Sequence, residues 1–236
     1  MTARSALRRY TLITFLTWLP LGLMLPVMVL LMTERGLSLA QIGLVTTVFS
    51  IVTITLELPT GGLADVAGRR VVLAASAAFT LAALTLMAVS TTVWMFLAMA
   101  VLKGIGRALA SGPATAWYVD TLHGLEGPDA DLRPGLARGG ATESVALCLG
   151  VLAGGFVPLV VPPGGPAPLA VPALAGAVAA GVLLVVALLA LPEPAHVREP
   201  YERRRRTVRG MARELPATVG DGMRLVAGVP VLRRLM

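Results

Sequence analysis

Charged residues are sparse along this chain, and the gaps between them mark out long apolar stretches. Tyr10 to Thr33 is 24 residues without a charge, and Gly36 to Leu56 is another 21. Val71 to Leu102 gives 32 more, and Ser144 to Pro192 gives 49. A helix needs about 20 apolar residues to cross the hydrocarbon core of a bilayer, so the two longest gaps must each be interrupted. Ser90-Thr91-Thr92 breaks the first of them, and the helix breakers of Pro162-Pro163-Gly164-Gly165-Pro166 break the second. The pattern predicts six spans, at about 10–32, 42–63, 71–89, 93–118, 141–160 and 169–191. The first run is too long for a secretory signal and has no small-residue cleavage site after it, so it reads as a retained helix.

Composition agrees with this pattern. The chain is 56% hydrophobic and 14% charged, with a mean hydropathy of +0.80. Soluble domains carry about a quarter charged residues, so the expectation is an all-α integral membrane protein whose first partner is the lipid bilayer. The net charge of +7 suggests nucleic acid only until the charges are located. Ten of the 20 basic residues follow the last apolar run, among them Arg203 to Arg206. Beside a membrane helix such a cluster reads as attraction to anionic lipid, and no nucleic-acid partner is expected. Residues 193–236 are expected to form a basic linker.

Arginine placement predicts orientation, because cytoplasmic loops are enriched in basic residues. Arg4, Arg8, Arg9, Arg69, Arg70, Arg133 and Arg138 fall on one side of the six spans, and only Arg35 on the other. Both termini are therefore expected in the cytoplasm, with the protein multi-pass in the plasma (inner) membrane. Cys148 is the single cysteine, and His123 and His196 lack metal-ligand spacing, so no disulfide, metal or cofactor is expected. The chain lacks the phosphate-loop, nucleophile-elbow and zinc-protease motifs, which argues against an enzyme.

Three ionisable residues lie within the spans: Glu57 in the second, and Lys103 and Arg107 in the fourth. Lys103 and Arg107 are one turn apart on one helix face, about 6 Å in depth. A charge at the bilayer centre costs about 2.5 to 3.5 kcal/mol on the insertion scale, so these side chains are expected to face a cavity or a partner. Glu57 and Arg107 share a similar depth. Three readings stay open: a structural Glu57–Arg107 pair, a substrate or proton-coupling role for Glu57, Lys103 or Arg107, and snorkelling. Gly150 and Gly154, four apart, suggest a close helix-packing face. Pro20, Pro26 and Pro113 could bend their helices.

The most specific motif is Gly61-Gly62-Leu63-Ala64-Asp65-Val66-Ala67-Gly68-Arg69-Arg70, expected as a tight turn between the second and third spans. It resembles the signature loop of the major facilitator superfamily, roughly G-x-L-A-D-R-x-G-R-[RK]. Gly61, Leu63, Ala64, Asp65, Gly68, Arg69 and Arg70 match, and Val66 departs. Glu57-Leu58-Pro59-Thr60, Gly104-Ile105-Gly106, Ser111-Gly112 and Trp117-Tyr118-Val119-Asp120 extend the likeness. The resemblance implies six helices arranged as two inverted three-helix repeats. It also implies a signature-loop cluster of Asp65 and Arg69 with Asp120 as partner, gating one conformational state. The family's transporters are built of two six-helix halves, so residues 1–192 resemble an N-terminal half, with Val229 to Arg234 as the approach to a missing seventh helix. The implied function is secondary active transport of a small-molecule substrate by alternating access, efflux of a drug or metabolite included, with a second six-helix half as partner. The alternative is a non-transporting truncated protein or an assembly partner for another half. The drug-antiporter patterns match poorly: Ala100 stands where an arginine is common, and Gly150, Gly154, Gly155 and Pro158 are arranged differently.

Overall fold

A computed structural model describes residues 1–161 and 167–190, without the side chains of 58–62, 65, 66 and 190. The expected turn at Pro162–Pro166 and the expected linker 193–236 lie outside the described residues. Among the described residues there is no strand; the chain forms α1 (Ala3–Met24), α2 (Met28–Glu34), α3 (Leu39–Ala67), α4 (Arg69–Val89), α5 (Val93–Ala110), α6 (Pro113–Glu126), α7 (Arg133–Val160) and α8 (Val171–Ala190). A short 3-10 turn, Pro168–Ala170, leads into α8.

Local sequence explains where the helices start and break. Thr2, Ser38 and Thr92 cap α1, α3 and α5 by accepting from backbone N–H groups three residues on, and Gln41 completes a capping box with Ser38. Pro26 cannot donate the next helical hydrogen bond, and the chain bends by 42° between α1 and α2. The expected first span is thus a bent pair of helices. Between α5 and α6, Gly112 adopts φ +94°, and Pro113 restarts the helix from its first turn. Together α5 and α6 cover the expected fourth span and continue beyond it, through Thr121 to Glu126. The polar connection expected over Thr121 to Leu136 shrinks to residues 127–132, because α7 already begins at Arg133.

The expected turn at Gly61 to Arg70 also needs correction. Helix α3 runs through Gly61 and Gly62 to Ala67, and α4 begins at Arg69. Gly68 alone makes the reversal, at φ +92°, a backbone conformation that a side chain resists. Leu63, Ala64 and Ala67 are good helix formers, and two glycines are insufficient to end a 29-residue helix.

Among the described residues five segments, α3, α4, α5 with α6, α7 and α8, meet the length and hydropathy requirements of a membrane span, or six with α1 and α2 as one bent span. Neighbours follow the order α7, α1, α8, α4, α5, α3. The core has two main parts. Met24, Leu31, Met32, Met87, Phe96 and Met99 fill the end nearest Ser90. Tyr10, Ile13, Leu73, Trp117, Tyr118 and Leu183 fill the end nearest Gly68. Burial is uneven: 50% of the apolar window of α4 is buried, against 17% in α7 and 11% in α3. The outer helices α3 and α7 therefore present largely unpartnered apolar surface.

Glycines let α1 and α7 touch backbone to backbone. A Cβ added at Gly150 would sit 2.8 Å from the Cα of Gly22, and one at Gly154 would press into the Leu23 carbonyl. The expected packing role of Gly150 and Gly154 is what the geometry shows. Gly155 faces open space, with only Pro26 Cβ at 4.0 Å. Gly154→Val should therefore destabilise the bundle by about 1–3 kcal/mol in reversible detergent unfolding. Gly155→Ala should stay within about 0.5 kcal/mol of wild type. Equal effects of the two substitutions would show that this contact does not form.

Candidate functional site

Helix α5 carries both intramembrane cations, and its glycines set which way they point. A Cβ at Gly104 would lie 2.8 Å from Val52 Cγ1 of α3, and one at Gly106 would lie 2.8 Å from Thr80 Oγ1 of α4. Both neighbours can approach only because those positions lack side chains. The buried Ser76 hydroxyl seals the α4 contact by donating to the Gly106 carbonyl at 2.8 Å.

Lys103 and Arg107 both line a cavity of about 220 Å³, whose walls include Trp18 of α1, Thr80 and Leu84 of α4, and Leu183 of α8. Arg107 lies over the Trp18 ring, with its guanidinium carbon 4.5 Å from the centroid. The Lys103 ammonium lies 5.5 Å from the Phe49 centroid and donates weakly to Met28 Sδ at 3.6 Å. Aromatic faces attract cations through the ring quadrupole, by about 2 kcal/mol or more when water is excluded. That is of the same order as the cost of placing one such charge in the membrane.

Glu57 does not meet Arg107. Its carboxylate accepts a hydrogen bond from the Ser111 hydroxyl at 2.8 Å, and Arg107 forms no ion pair among the described residues. Axial register supplies the reason. Parallel helices α3 and α5 are registered where Gly104 meets Phe49 and Val52, which brings Glu57 level with Ser111, one turn beyond Arg107. Depth alone had suggested the pairing.

At the Gly68 end, Arg69 Nη2 and Asp120 Oδ2 are 2.8 Å apart, which joins the start of α4 to α6. Arg70 donates to the Leu188 carbonyl, one of the last free acceptors of α8. Gly61, Leu63 and Asp65 ride on the last turns of α3; the Asp65 side chain lies outside the described residues. Beside this charged corner, Tyr10 and Tyr118 stack with centroids 4.7 Å apart and planes 15° apart. Gly135 and Gly139 of α7 make room for the pair, and Tyr10 Oη lies 3.3 Å from Thr115 Oγ1.

Trp18, Phe49 and Tyr10 were not singled out as site residues by sequence, and Ser111 and Tyr118 entered only as parts of family-like motifs. Aromatic residues in apolar runs look like ordinary core, and no spacing rule links Trp18 to Arg107 across 89 positions. The sequence carried a competing signal, since Glu57 at a similar depth offered Arg107 a carboxylate partner instead of an aromatic face.

A double-mutant cycle separates these contacts. Glu57→Gln and Ser111→Ala should couple by about 1 kcal/mol or more in detergent stability, as a hydrogen bond to a charged group does. Glu57→Gln and Arg107→Gln should add within about 0.5 kcal/mol. Strong coupling of the second pair would contradict the placement of Arg107 on Trp18.

A sequence model of the Major Facilitator Superfamily matches residues 10–233. No curated protein matches the sequence. That match takes in nearly every described helix, the Gly68 turn and the cationic helix α5, and with a multi-pass helical architecture it places the chain among membrane transporters: it belongs to the Major Facilitator Superfamily.

Proposed function

We propose that this chain is a six-helix half of a secondary active transporter, moving a small solute across the plasma membrane by alternating access. The observation that carries the reading is the Arg69–Asp120 pair at 2.8 Å. It joins the first three-span unit to the second at one end of the bundle, where a break would let the units part. The order of packing supports the two-repeat organisation. Helix α3 packs on α5 of the other unit, α7 packs reciprocally on α1, and α4 and α8 meet between them. The first span of each unit is also interrupted, at Pro26 and at Gly112.

Further parts of the reading follow from surfaces and charges. The thinly buried helices α3 and α7 suit a second six-helix half as partner, in this chain's continuation or in another chain. Residues 1–192 form the transmembrane half, and 193–236 a basic linker. The arginine distribution supports a cytoplasmic side for both termini and the Gly68 turn. Asp65, Arg69 and Asp120 act there as a cytoplasmic gate, with Lys103 and Arg107 deeper along the path and Glu57 tying α3 to Ser111 beside it.

Reciprocal accessibility tests this reading. Thr46 lines a cavity toward the Ser90 end, and Thr115 lines one toward the Gly68 end. In a Cys148→Ser background, Thr46→Cys should react with impermeant maleimide from outside, and Thr115→Cys from the cytoplasmic side. Adding Asp120→Asn should raise labelling at 115 and lower it at 46 by roughly threefold, the shift expected from losing a pair worth under about 1 kcal/mol. Labelling at both sites indifferent to Asp120→Asn would favour a static, non-transporting protein. Labelling from the opposite sides would overturn the orientation.

A further inference from the structure

We propose that Lys103 and Arg107 form an anion site inside the bundle, and that it takes a small monovalent organic anion with an apolar body, of the carboxylate class. The inference deepens the transporter reading and rests on it for its purpose.

Three cavities follow one another along α5, and the two cations are shared between them. Lys103 lines both the Ser90-end cavity of about 180 Å³ and the middle one of about 220 Å³. Arg107 lines both the middle cavity and a Gly68-end cavity of about 180 Å³. An anion in the middle cavity would meet both side chains, and its way in or out would pass one or the other. Two like charges one helical turn apart in low dielectric raise each other's energy, and an anion between them removes that cost. Among the described residues neither cation has a carboxylate partner. Each rests on an aromatic face, which leaves the charge-assisted hydrogen bonds of the guanidinium and ammonium to be made.

The charge count selects a monoanion. Among the described residues, Glu143 is the only carboxylate lining these cavities, and it stands in the Gly68-end cavity that Arg107 also lines. Two cations less this one anion leave a single positive charge to neutralise. Glu57 lines none of the three and is engaged with Ser111. The walls select the rest of the ligand: Leu16, Leu21, Leu84 and Leu183 surround the middle cavity, and a bare inorganic ion would leave them dry and empty. A volume of about 220 Å³ accommodates a ligand the size of one aromatic ring with a carboxylate.

Binding tests the site without any need for transport, so a failure here leaves the transporter reading standing, and the converse also holds. The full chain is reconstituted in phosphatidylcholine nanodiscs, and equilibrium binding of radiolabelled benzoate is measured against empty discs. Saturable binding at one site per chain is expected. Unlabelled benzoate should displace it, whereas benzyl alcohol and benzylammonium should not, and acetate should compete at least about tenfold more weakly. Arg107→Gln and Lys103→Gln should each weaken binding by at least about tenfold, as expected for a lost hydrogen bond to a charged group. Lys103→Arg, which keeps the charge, should bind within about threefold of wild type, so the test survives if a neutral variant fails to fold. The proposal falls if binding does not saturate above empty discs, if benzyl alcohol competes as well as benzoate, or if folded Arg107→Gln binds like wild type.

Discussion

Two cations on one face of a membrane-crossing helix, one turn apart, dictate much of the arrangement around them. Neither charge can face lipid cheaply, and neither is joined to a carboxylate among the described residues. The bundle instead supplies an aromatic ring to each: Trp18 from α1 to Arg107, and Phe49 from α3 to Lys103. Phe49 comes from α3 packed directly on α5, whereas Trp18 reaches Arg107 from α1 across the cavity that both line. Gly104 and Gly106 allow the approach of α3 and α4 on the flanks, and the cationic face is left looking inward. A leucine at either glycine would hold the neighbouring helix away and expose the charge that the neighbour now shields.

The same use of glycine holds the far side of the bundle. Helices α1 and α7 meet along Gly22, Gly150 and Gly154, while Gly135 and Gly139 receive the stacked Tyr118 and Tyr10. Lipid tails are as apolar as leucine, so close packing has to supply the attraction that water supplies in soluble proteins. The Ser90 end is filled by methionines and Phe96, whereas the Gly68 end carries the ion pair, the stacked phenols and a polar cavity. Breakable polar contacts at one end and adaptable apolar packing at the other suit a bundle that changes shape.

Much of this was legible in the sequence because membranes leave few options for a backbone. The charge gaps gave the rough placement of the apolar helices, five of which, or six with the bent pair, are long enough to cross a membrane among the described residues, and Gly150-x-x-x-Gly154 gave a packing face that the structure bears out. The meeting of Arg69 with Asp120 followed from a family likeness. Two things were hidden. Where the charges stopped was a poor guide to where helices stopped: α3 continued to Ala67 and α7 began at Arg133, since polar residues extend helices beyond the hydrocarbon. Partners were hidden too, because which residue faces which depends on helix rotation. Register between neighbours matters as well: it sets Glu57 level with Ser111, one turn beyond Arg107, and leaves Arg107 to the Trp18 ring.

The Trp18 ring holds the membrane-embedded charge of Arg107, and progressive fluorination of that ring probes the contact. Each fluorine drains the negative face of the indole while changing its size little. Mono-, di- and trifluorotryptophan installed at position 18 should lower detergent stability stepwise, by about 0.5–2 kcal/mol over the series. The same series in an Arg107→Gln background should be flat. Stability that ignores fluorination in the wild-type chain, or falls equally without Arg107, would show that the ring does not hold the charge.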